Sequence, residues 1–306
     1  MIHLVTLNPA LDVSLTLREP WKGKIGEVLE AEVEAGGKGL NVSRFLKKLG
    51  VRSATWLGTG GETHPTHVLF RSLLKREGLS AQFLGGKSSV RFNVVIQKKK
   101  QAQKYNHPGF ELDLVSFPRM YKVLKKGDFL VMTGRLPQGM NRGLYASWIH
   151  AFGRKGVKTV VDTSGKSLPE ALEAKPWFFK VNLFEISEAL KVKFTNLDQV
   201  ARFLPQLIKL GFLHGAVTHG SEGAILWNGN KACRVRSKEK VRNAFVVGAG
   251  DAFLAGYLKG LQTHESFEVC AKLACATGTA VAVKGIAGFD ARLAGRLLKS
   301  VRVKNI

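Results

Sequence analysis

An acid directly after a glycine-rich turn is the position in this chain best suited to chemistry. Residues 246–251, VVGAGD, run from apolar residues through Gly248, Ala249 and Gly250 to Asp251, and an apolar helix-forming stretch follows. The pattern predicts a strand, a tight turn and a helix start, where unpartnered N–H groups can hold a phosphate or a developing negative charge. Asp251 could then accept a proton during phosphoryl transfer. The alternative is a helix whose first turn is simply stabilised by an acid.

A second glycine-rich segment, residues 35–43 (AGGKGLNVS), lies far upstream. Its three glycines allow a ligand to approach the backbone closely, Lys38 adds a positive charge, and the Asn41 amide can donate and accept hydrogen bonds. The segment has the residue order of neither a Walker P-loop nor a dinucleotide fingerprint. It predicts either a phosphate-type loop of another kind or a glycine-rich connection without a ligand.

Short apolar strands alternate with helical stretches, which predicts an α/β fold with a mostly parallel sheet and helices on both faces. The expected strands are 2–7, 54–57, 129–132, 159–161, 178–181 and 216–218, and the expected helices are 40–49, 67–77, 140–152, 197–210, 249–261 and 266–283. Segments 12–17, 27–35, 90–96 and 101–105 alternate apolar and polar residues and predict antiparallel strands of a small separate sheet. Because no linker divides the chain, we expect one domain over residues 1–306.

Polar residues and glycines follow most of the predicted parallel strands. Asn8 and Asp12 follow the first strand, Asp162 follows 159–161, Asn182 follows 178–181 and Gly220 follows 216–218. Ligands of open α/β sheets bind at the carboxyl ends of the strands. The sequence therefore predicts a binding site along this edge.

The composition limits the class of protein. Cys233, Cys270 and Cys275 are too few and too scattered for a disulfide framework or a zinc site, and no apolar run is long enough to span a membrane. We therefore expect a soluble cytoplasmic protein. The 47 basic and 23 acidic residues give a net charge of +24, which suits a nucleic-acid partner or an enzyme of anionic substrates. Since the basic residues are dispersed, a nucleic-acid partner is the less favoured interpretation.

Together the two glycine-rich segments resemble the signatures of ribokinase-like (PfkB) carbohydrate kinases. Residues 36–60 match the N-terminal signature and residues 248–256 the C-terminal one, in the right order. Residues 7–12, 162–165 and 182–185 resemble the hexose-phosphate branch, which includes fructose-1-phosphate and tagatose-6-phosphate kinases. The resemblance covers nearly the whole chain and implies a ribokinase-like fold, in which the small sheet is a lid and often a homodimer interface.

The resemblance implies transfer of a phosphoryl group from ATP, with Mg²⁺, to fructose 1-phosphate, giving fructose 1,6-bisphosphate. Asp251 would be the general base, and the N–H groups of residues 248–250 would form the anion hole. Since Asp251 lies at a helix N-terminus, we expect a low pKa for its carboxyl. Tagatose 6-phosphate and fructose 6-phosphate are alternative acceptors, because the motifs do not determine which hydroxyl is free.

The resemblance also assigns the remaining site residues. The substrate would be bound by Asp12, Gly37, Lys38, Asn41 and Arg91, with Lys38 and Arg91 clamping its phosphate. The nucleotide would be bound by Lys180, Asn182, Thr218, Gly220 and Gly223, and Glu185 would organise Mg²⁺ through water. Residues 182–185 also fit a plain helix N-terminus with an acid in its first turn.

Five residues depart from the family pattern, namely His107, Arg135, Val181, Phe245 and Val246. Arg135 stands where a small serine is common, so it either adds a charge to the substrate pocket or points outward. Phe245 occupies a usually polar position of the C-terminal signature. Together with the net charge, Phe245 motivates a competing hypothesis, in which the chain is a catalytically silent sugar-phosphate or nucleic-acid binding protein on the same fold.

Overall fold

Fourteen strands are found in the computed structural model, which describes residues 1–18, 26–60, 63–85, 89–98, 101–239, 241 and 247–306. The strands are β1 (Ile2–Thr6), β2 (Ala10–Leu17), β3 (Val28–Gly36), β4 (Ser53–Leu57), β5 (Gln82–Phe83), β6 (Arg91–Lys98), β7 (Gln101–Asn106), β8 (Phe129–Thr133), β9 (Lys158–Asp162), β10 (Phe178–Asn182), β11 (His214–Thr218), β12 (Ala224–Asn228), β13 (Ala232–Ser237) and β14 (Val301–Asn305).

Ten α-helices lie within the same described ranges. They are α1 (Lys38–Lys48), α2 (Pro65–Arg76), α3 (Phe117–Val123), α4 (Leu144–Arg154), α5 (Leu168–Glu173), α6 (Leu183–Leu190), α7 (Leu197–Lys209), α8 (Ala249–Gln262), α9 (Phe267–Lys284) and α10 (Ala291–Leu297). Each of the six helices expected from the sequence is present, with ends that differ by a few residues. None of the helices described combines the length and the apolar character that crossing a membrane requires.

The main sheet has ten strands in the order β14-β13-β12-β11-β10-β9-β8-β1-β4-β5. Strands β1, β4, β5 and β8 to β11 pair in parallel, while β12, β13 and β14 add an antiparallel edge. The structure confirms the mostly parallel α/β fold. The antiparallel edge was missed, because strands were expected to alternate with helices and no helix separates β12 from β13.

Alternate residues of the main sheet pack against helices on opposite faces. Leu4 of β1 belongs to a core cluster with Phe45 of α1 and Leu254 of α8, whereas Val5 belongs to a cluster with Tyr145 of α4. Side chains of a strand alternate between faces, so a strand buried on both sides must be apolar throughout. The continuous apolar runs in the sequence have this cause.

A separate sheet contains four strands in the order β3-β2-β6-β7. The pairs β2–β3 and β6–β7 are antiparallel, as expected, but β2 and β6 are parallel. The expectation of a wholly antiparallel sheet was therefore wrong. Only strands joined by a short turn must run antiparallel, and the chain passes through β3, α1, β4, α2 and β5 before it reaches β6.

Helix α8 begins at Ala249, directly after Gly248. Gly248 has a φ of +82°, and a Cβ at this position would lie 2.6 Å from Cγ1 of Ile286. Glycine is therefore required here both by the backbone conformation and by the close neighbour. The helix start predicted from the VVGAGD pattern is confirmed. Of the strand predicted before it, Val247 lies in an exposed turn, and Val246, like Phe245, lies outside the described part of the chain.

Candidate active site

A cleft of about 1040 Å³ opens at the carboxyl ends of the parallel strands and is lined by residues of both sheets. The structure brings every sequence-predicted site residue to this cleft. The lining includes Asp12, Gly37, Lys38, Asn41, Arg91, Lys180, Asn182, Glu185, Thr218, Gly220, Gly223, Gly248, Ala249, Gly250 and Asp251. Segments far apart in the sequence therefore meet at one site.

Asp251 lies in the first turn of α8 and is buried, with 6% of its surface exposed. Its Oδ2 accepts a hydrogen bond of 2.9 Å from Nδ2 of Asn41, in the first turns of α1. This bond joins the two glycine-rich segments across 210 residues of sequence. The Asn41 amide holds the Asp251 carboxylate in one orientation at the N-terminus of α8.

A buried acid, Asp162, links two lysines of the cleft. It is the last residue of β9 and has no exposed surface. Its Oδ1 accepts a hydrogen bond of 3.0 Å from Nζ of Lys38, and its Oδ2 accepts one of 2.9 Å from Nζ of Lys180. Sequence analysis placed Asp162 at the strand end but gave it no role. Its position at that end was the available signal, and the two partners became visible only in the structure.

The carboxyl of Asp251 has a raised pKa of about 6, which corrects the expectation of a low one. Burial raises this pKa most, and the negative charge of Asp162 adds to the effect. Lys38, Lys180 and the Asn41 bond lower it, but not enough to compensate. A helix N-terminus stabilises a surface anion by only about 0.3–1 kcal/mol. Removing a carboxylate from water costs more than that.

The ion pairs of Asp162 determine the charge states of both Asp162 and Lys38. Burial raises the pKa of the Asp162 carboxyl, but Lys180 and Lys38 lower it by a larger amount, so the net shift is downward. Burial lowers the pKa of the Lys38 ammonium, yet Asp162, Asp251 and Glu185 raise it well above its usual range. The cleft therefore holds a permanent cation between two acids, one of which, Asp251, can take up a proton near neutrality.

The small sheet contributes a third acid. Asp12 of β2 accepts a hydrogen bond of 2.7 Å at Oδ1 from Nδ2 of Asn93. Its carboxyl group packs so closely over Gly36 that a Cβ there would lie 2.0 Å from Oδ2 of Asp12. Any side chain at Gly36 would collide with the Asp12 carboxyl group, so glycine at this position allows Asp12 to pack against the glycine-rich segment.

The residues expected to bind nucleotide surround the start of α6 and the loop after β11. Asn182 and Glu185 form a reciprocal capping box, in which Oδ1 of Asn182 accepts from the Glu185 N–H at 2.9 Å and Oε2 of Glu185 accepts from the Asn182 N–H at 2.8 Å. The plain helix-terminus interpretation of this motif thus has a structural basis, although both residues also line the cleft. Lys180 lies beside the α8 turn, since a Cβ at Gly250 would be 2.9 Å from its Nζ.

In the part of the chain that the structure describes, no group of three or more His, Cys, Asp or Glu side chains could cage a metal ion. Magnesium keeps several waters and is commonly held by one or two carboxylates together with substrate phosphates. Glu185 fits that pattern, because its capping bond uses Oε2 alone. The donor set is therefore compatible with a magnesium ion that a nucleotide brings with it.

Comparison with known proteins decides the family. The model of the pfkB family of carbohydrate kinases matches residues 7–291, most of the chain. The chain belongs to the pfkB family. Among curated pfkB-family relatives, the chain is 28% identical to 1-phosphofructokinase of Bacillus subtilis, over 100% of both chains. It is 31% identical to tagatose-6-phosphate kinase of Staphylococcus epidermidis, over 91% of each chain.

Solved structures of a phosphofructokinase share the fold. Phosphofructokinase-2 of Escherichia coli in complex with potassium superposes with a TM-score of 0.88, and its complex with substrates and products with 0.86. Both are 23% identical in sequence and cover 97% of this chain and 98% of theirs. The family and the ribokinase-like α/β fold expected from the sequence are thus confirmed, and so is the classification as a kinase.

Proposed function

We propose that the protein transfers the γ-phosphoryl group of ATP to a ketohexose phosphate, with fructose 1-phosphate as the acceptor and fructose 1,6-bisphosphate as the product. The observation that carries the proposal is the hydrogen bond from Asn41 to Asp251, which joins the two glycine-rich segments at one cleft. A buried proton acceptor, a cationic cradle and free helix N–H groups are the parts that phosphoryl transfer requires.

Asp251 accepts the proton of the attacking sugar hydroxyl. Its pKa of about 6 leaves it mostly ionised at neutral pH and makes it a stronger base than an exposed aspartate. The N–H groups of Gly248, Ala249 and Gly250 stabilise charge on the transferring phosphoryl group. Lys38, with its high pKa, stays charged and stabilises the same anion from the opposite wall.

The acceptor is bound by Asp12, Gly37, Lys38, Asn41 and Arg91, and Asp12 accepts hydrogen bonds from its hydroxyl groups. The nucleotide is bound by Lys180, Asn182, Thr218, Gly220 and Gly223, all of which line the same cleft. Glu185 holds magnesium through water, and the ion, when bound, neutralises charge on the phosphates. Asp162 keeps Lys38 and Lys180 in place through its two ion pairs.

Of the three acceptors expected from the sequence, the curated relatives favour two. Curated relatives named 1-phosphofructokinase align over nearly the whole chain at 28% identity, which favours fructose 1-phosphate. The relative named tagatose-6-phosphate kinase is 31% identical over 91% of the chain, and it makes tagatose 6-phosphate the second candidate. The two sugars differ in the hydroxyl that must face Asp251.

A coupled assay of ADP release tests the function and the substrate together. The purified protein receives ATP, Mg²⁺ and, in turn, fructose 1-phosphate, fructose 6-phosphate, tagatose 6-phosphate and fructose. We expect the highest kcat/KM with fructose 1-phosphate and no ADP release from the Asp251→Asn variant above about 1% of the wild-type rate. A highest value with tagatose 6-phosphate would select the second candidate.

The catalytically silent alternative makes the opposite prediction. A binding protein would release no ADP with any acceptor, and a nucleic-acid partner of this +24 chain would bind with strong salt dependence. A fluorescence titration with an oligonucleotide at two salt concentrations separates this case from the kinase.

We also propose that residues 1–306 form one kinase domain, with β2, β3, β6 and β7 as its lid and with two copies joined through the lid. Large apolar side chains on the lid support the dimer, because Val28, Leu29, Phe92 and Tyr105 are 43–50% exposed. Sedimentation equilibrium of the wild type and of Phe92→Asp gives the test, and a monomeric wild-type protein would contradict the dimer.

A further inference from the structure

Two arginines from different parts of the fold face the same end of the cleft. Arg91 is the first residue of β6 in the small sheet, and Arg135 follows β8 in the main sheet. Both line the cleft. The Arg91 guanidinium donates from Nη1 to the carbonyl of His107, and the Arg135 guanidinium donates from Nε to Oγ of Ser164 at 3.1 Å. Each head group is thus held by a neutral acceptor.

Neither arginine pairs with a carboxylate of the described chain within 4.0 Å. They are close enough for Arg135, together with burial, to lower the pKa of Arg91. Nε of Arg91 is buried and has no hydrogen-bond partner among the residues that the structure describes. Asp12 attracts Arg91, but Oδ1 of this acid is already bonded to Asn93. Two like charges that face a cleft with spare donors form a site for an anion.

Lys38 is poorly placed to be the partner of Arg91. Its Nζ is bonded to Asp162, and the charges that influence it are Asp162, Asp251 and Glu185. Arg91 instead responds to Asp12 and Arg135. Lys38 therefore pairs with the acids of the phosphoryl-transfer site, whereas the charged groups around Arg91 are Asp12 and Arg135, so the contacts do not favour the clamp expected from the sequence.

We propose that Arg135 is the partner of Arg91 in binding the phosphate that the acceptor already carries, and that it is the residue that selects phosphorylated over free ketohexose. This inference rests on the proposed kinase function. A guanidinium presents a planar fork of donors that matches two phosphate oxygens. A phosphate dianion between the two arginines satisfies the spare Nε of Arg91 and removes the repulsion between the two cations.

The test compares Arg135→Ser with the wild type and with Arg142→Ser. Arg142 is an exposed arginine seven residues further along the chain, outside the cleft, so its replacement removes the same charge. We expect Arg135→Ser to raise KM for fructose 1-phosphate about 10- to 100-fold, with KM for ATP and the weak turnover of free fructose unchanged. Arg135→Lys should restore part of the loss, and Arg142→Ser should have wild-type values.

If Arg135→Ser lost kcat/KM equally with fructose and with its phosphate ester, or lost no more than Arg142→Ser does, the role of Arg135 would be overturned. Binding of fructose 1-phosphate measured by calorimetry without nucleotide keeps this result separate from the kinase proposal. A wild-type protein that binds the ester but releases no ADP would overturn the proposed reaction, while weaker binding by Arg135→Ser would still support the phosphate site. Unchanged melting temperatures ensure that folded proteins are compared.

Discussion

The pKa of Asp251 predicts an acidic limb in the pH profile, and Asp162→Asn should move that limb. The wild-type carboxyl has a pKa of about 6, so activity should fall as the pH drops through this value. In Asp162→Asn the like charge that raises this pKa is gone. Lys38 and Lys180, no longer neutralised by Asp162, then attract the Asp251 carboxylate more strongly. All three changes favour the ionised form, so the limb should move to lower pH.

The size of the effect follows from the titration. One pH unit below its pKa only about a tenth of a carboxyl group is ionised, so the titration of Asp251 by itself should lower wild-type kcat/KM about tenfold between about pH 7 and about pH 5. We expect the limb of Asp162→Asn to lie about one unit lower, which corresponds to about 1.4 kcal/mol of removed carboxylate repulsion. The variant also leaves the buried Lys180 unpaired, which should lower the free energy of unfolding by about 3–5 kcal/mol.

The assay is ADP release with fructose 1-phosphate, measured across the pH range for the wild type, Asp162→Asn and Asp198→Asn. The carboxylate of Asp198 is exposed, pairs with Arg234 and lies outside the cleft, so it is a control for loss of one acid. The second pKa of a sugar phosphate is also about 6, so the substrate itself contributes a limb. Only the variant distinguishes the two, because a limb that belongs to the substrate stays where it is.

A wild-type profile with no acidic limb beyond that of the substrate phosphate would show that Asp251 has the low pKa of an ordinary helix N-terminus. A limb that remains in place in Asp162→Asn would show that Asp251 does not determine it. Either result refutes the electrostatic account of the site.

Two further predictions concern the contacts of Asp251, and a third concerns the packing of α8 against α9. Asp251→Asn should lower kcat about 10²–10⁴-fold. A raised carboxyl pKa adds stability that is lost as the pH rises from 3.8 through about 6. The same variant should therefore raise Tm near neutrality but not in acid, as calorimetry would measure. Asn41→Ala removes a hydrogen bond that lowers the pKa of Asp251, so the acidic limb should move upward, and an unmoved limb would contradict this. Gly256→Ala would place a Cβ 2.5 Å from the Leu273 carbonyl oxygen and should lower the free energy of unfolding by about 1–3 kcal/mol. Gly295→Ala, with no atom within 4 Å of the added Cβ, should raise it by up to about 1 kcal/mol, and urea titrations of the two variants compare them.

The sequence by itself determined the layered fold and the location of the site. The apolar runs of β1 and β8 to β11 are long enough only for strands buried on both faces, which predicts a parallel sheet between helices. Since carboxyl ends of parallel strands share one edge, the polar residues that follow them had to meet. The glycine patterns around Lys38 and Asp251 predicted two walls of the cleft, because the backbone conformations that glycine permits are a local property of the sequence.

Tertiary structure decided what depends on neighbours distant in the chain. The pKa of Asp251 is set by burial and by Asp162, and neither can be read from the helix N-terminus in which Asp251 lies. Asp162 holds lysines from α1 and β10, and the parallel pairing of β2 with β6 depends on the path of the chain through the main sheet. Electrostatic energies depend on distance in space and on exclusion of water, so spacing along the sequence could not provide them.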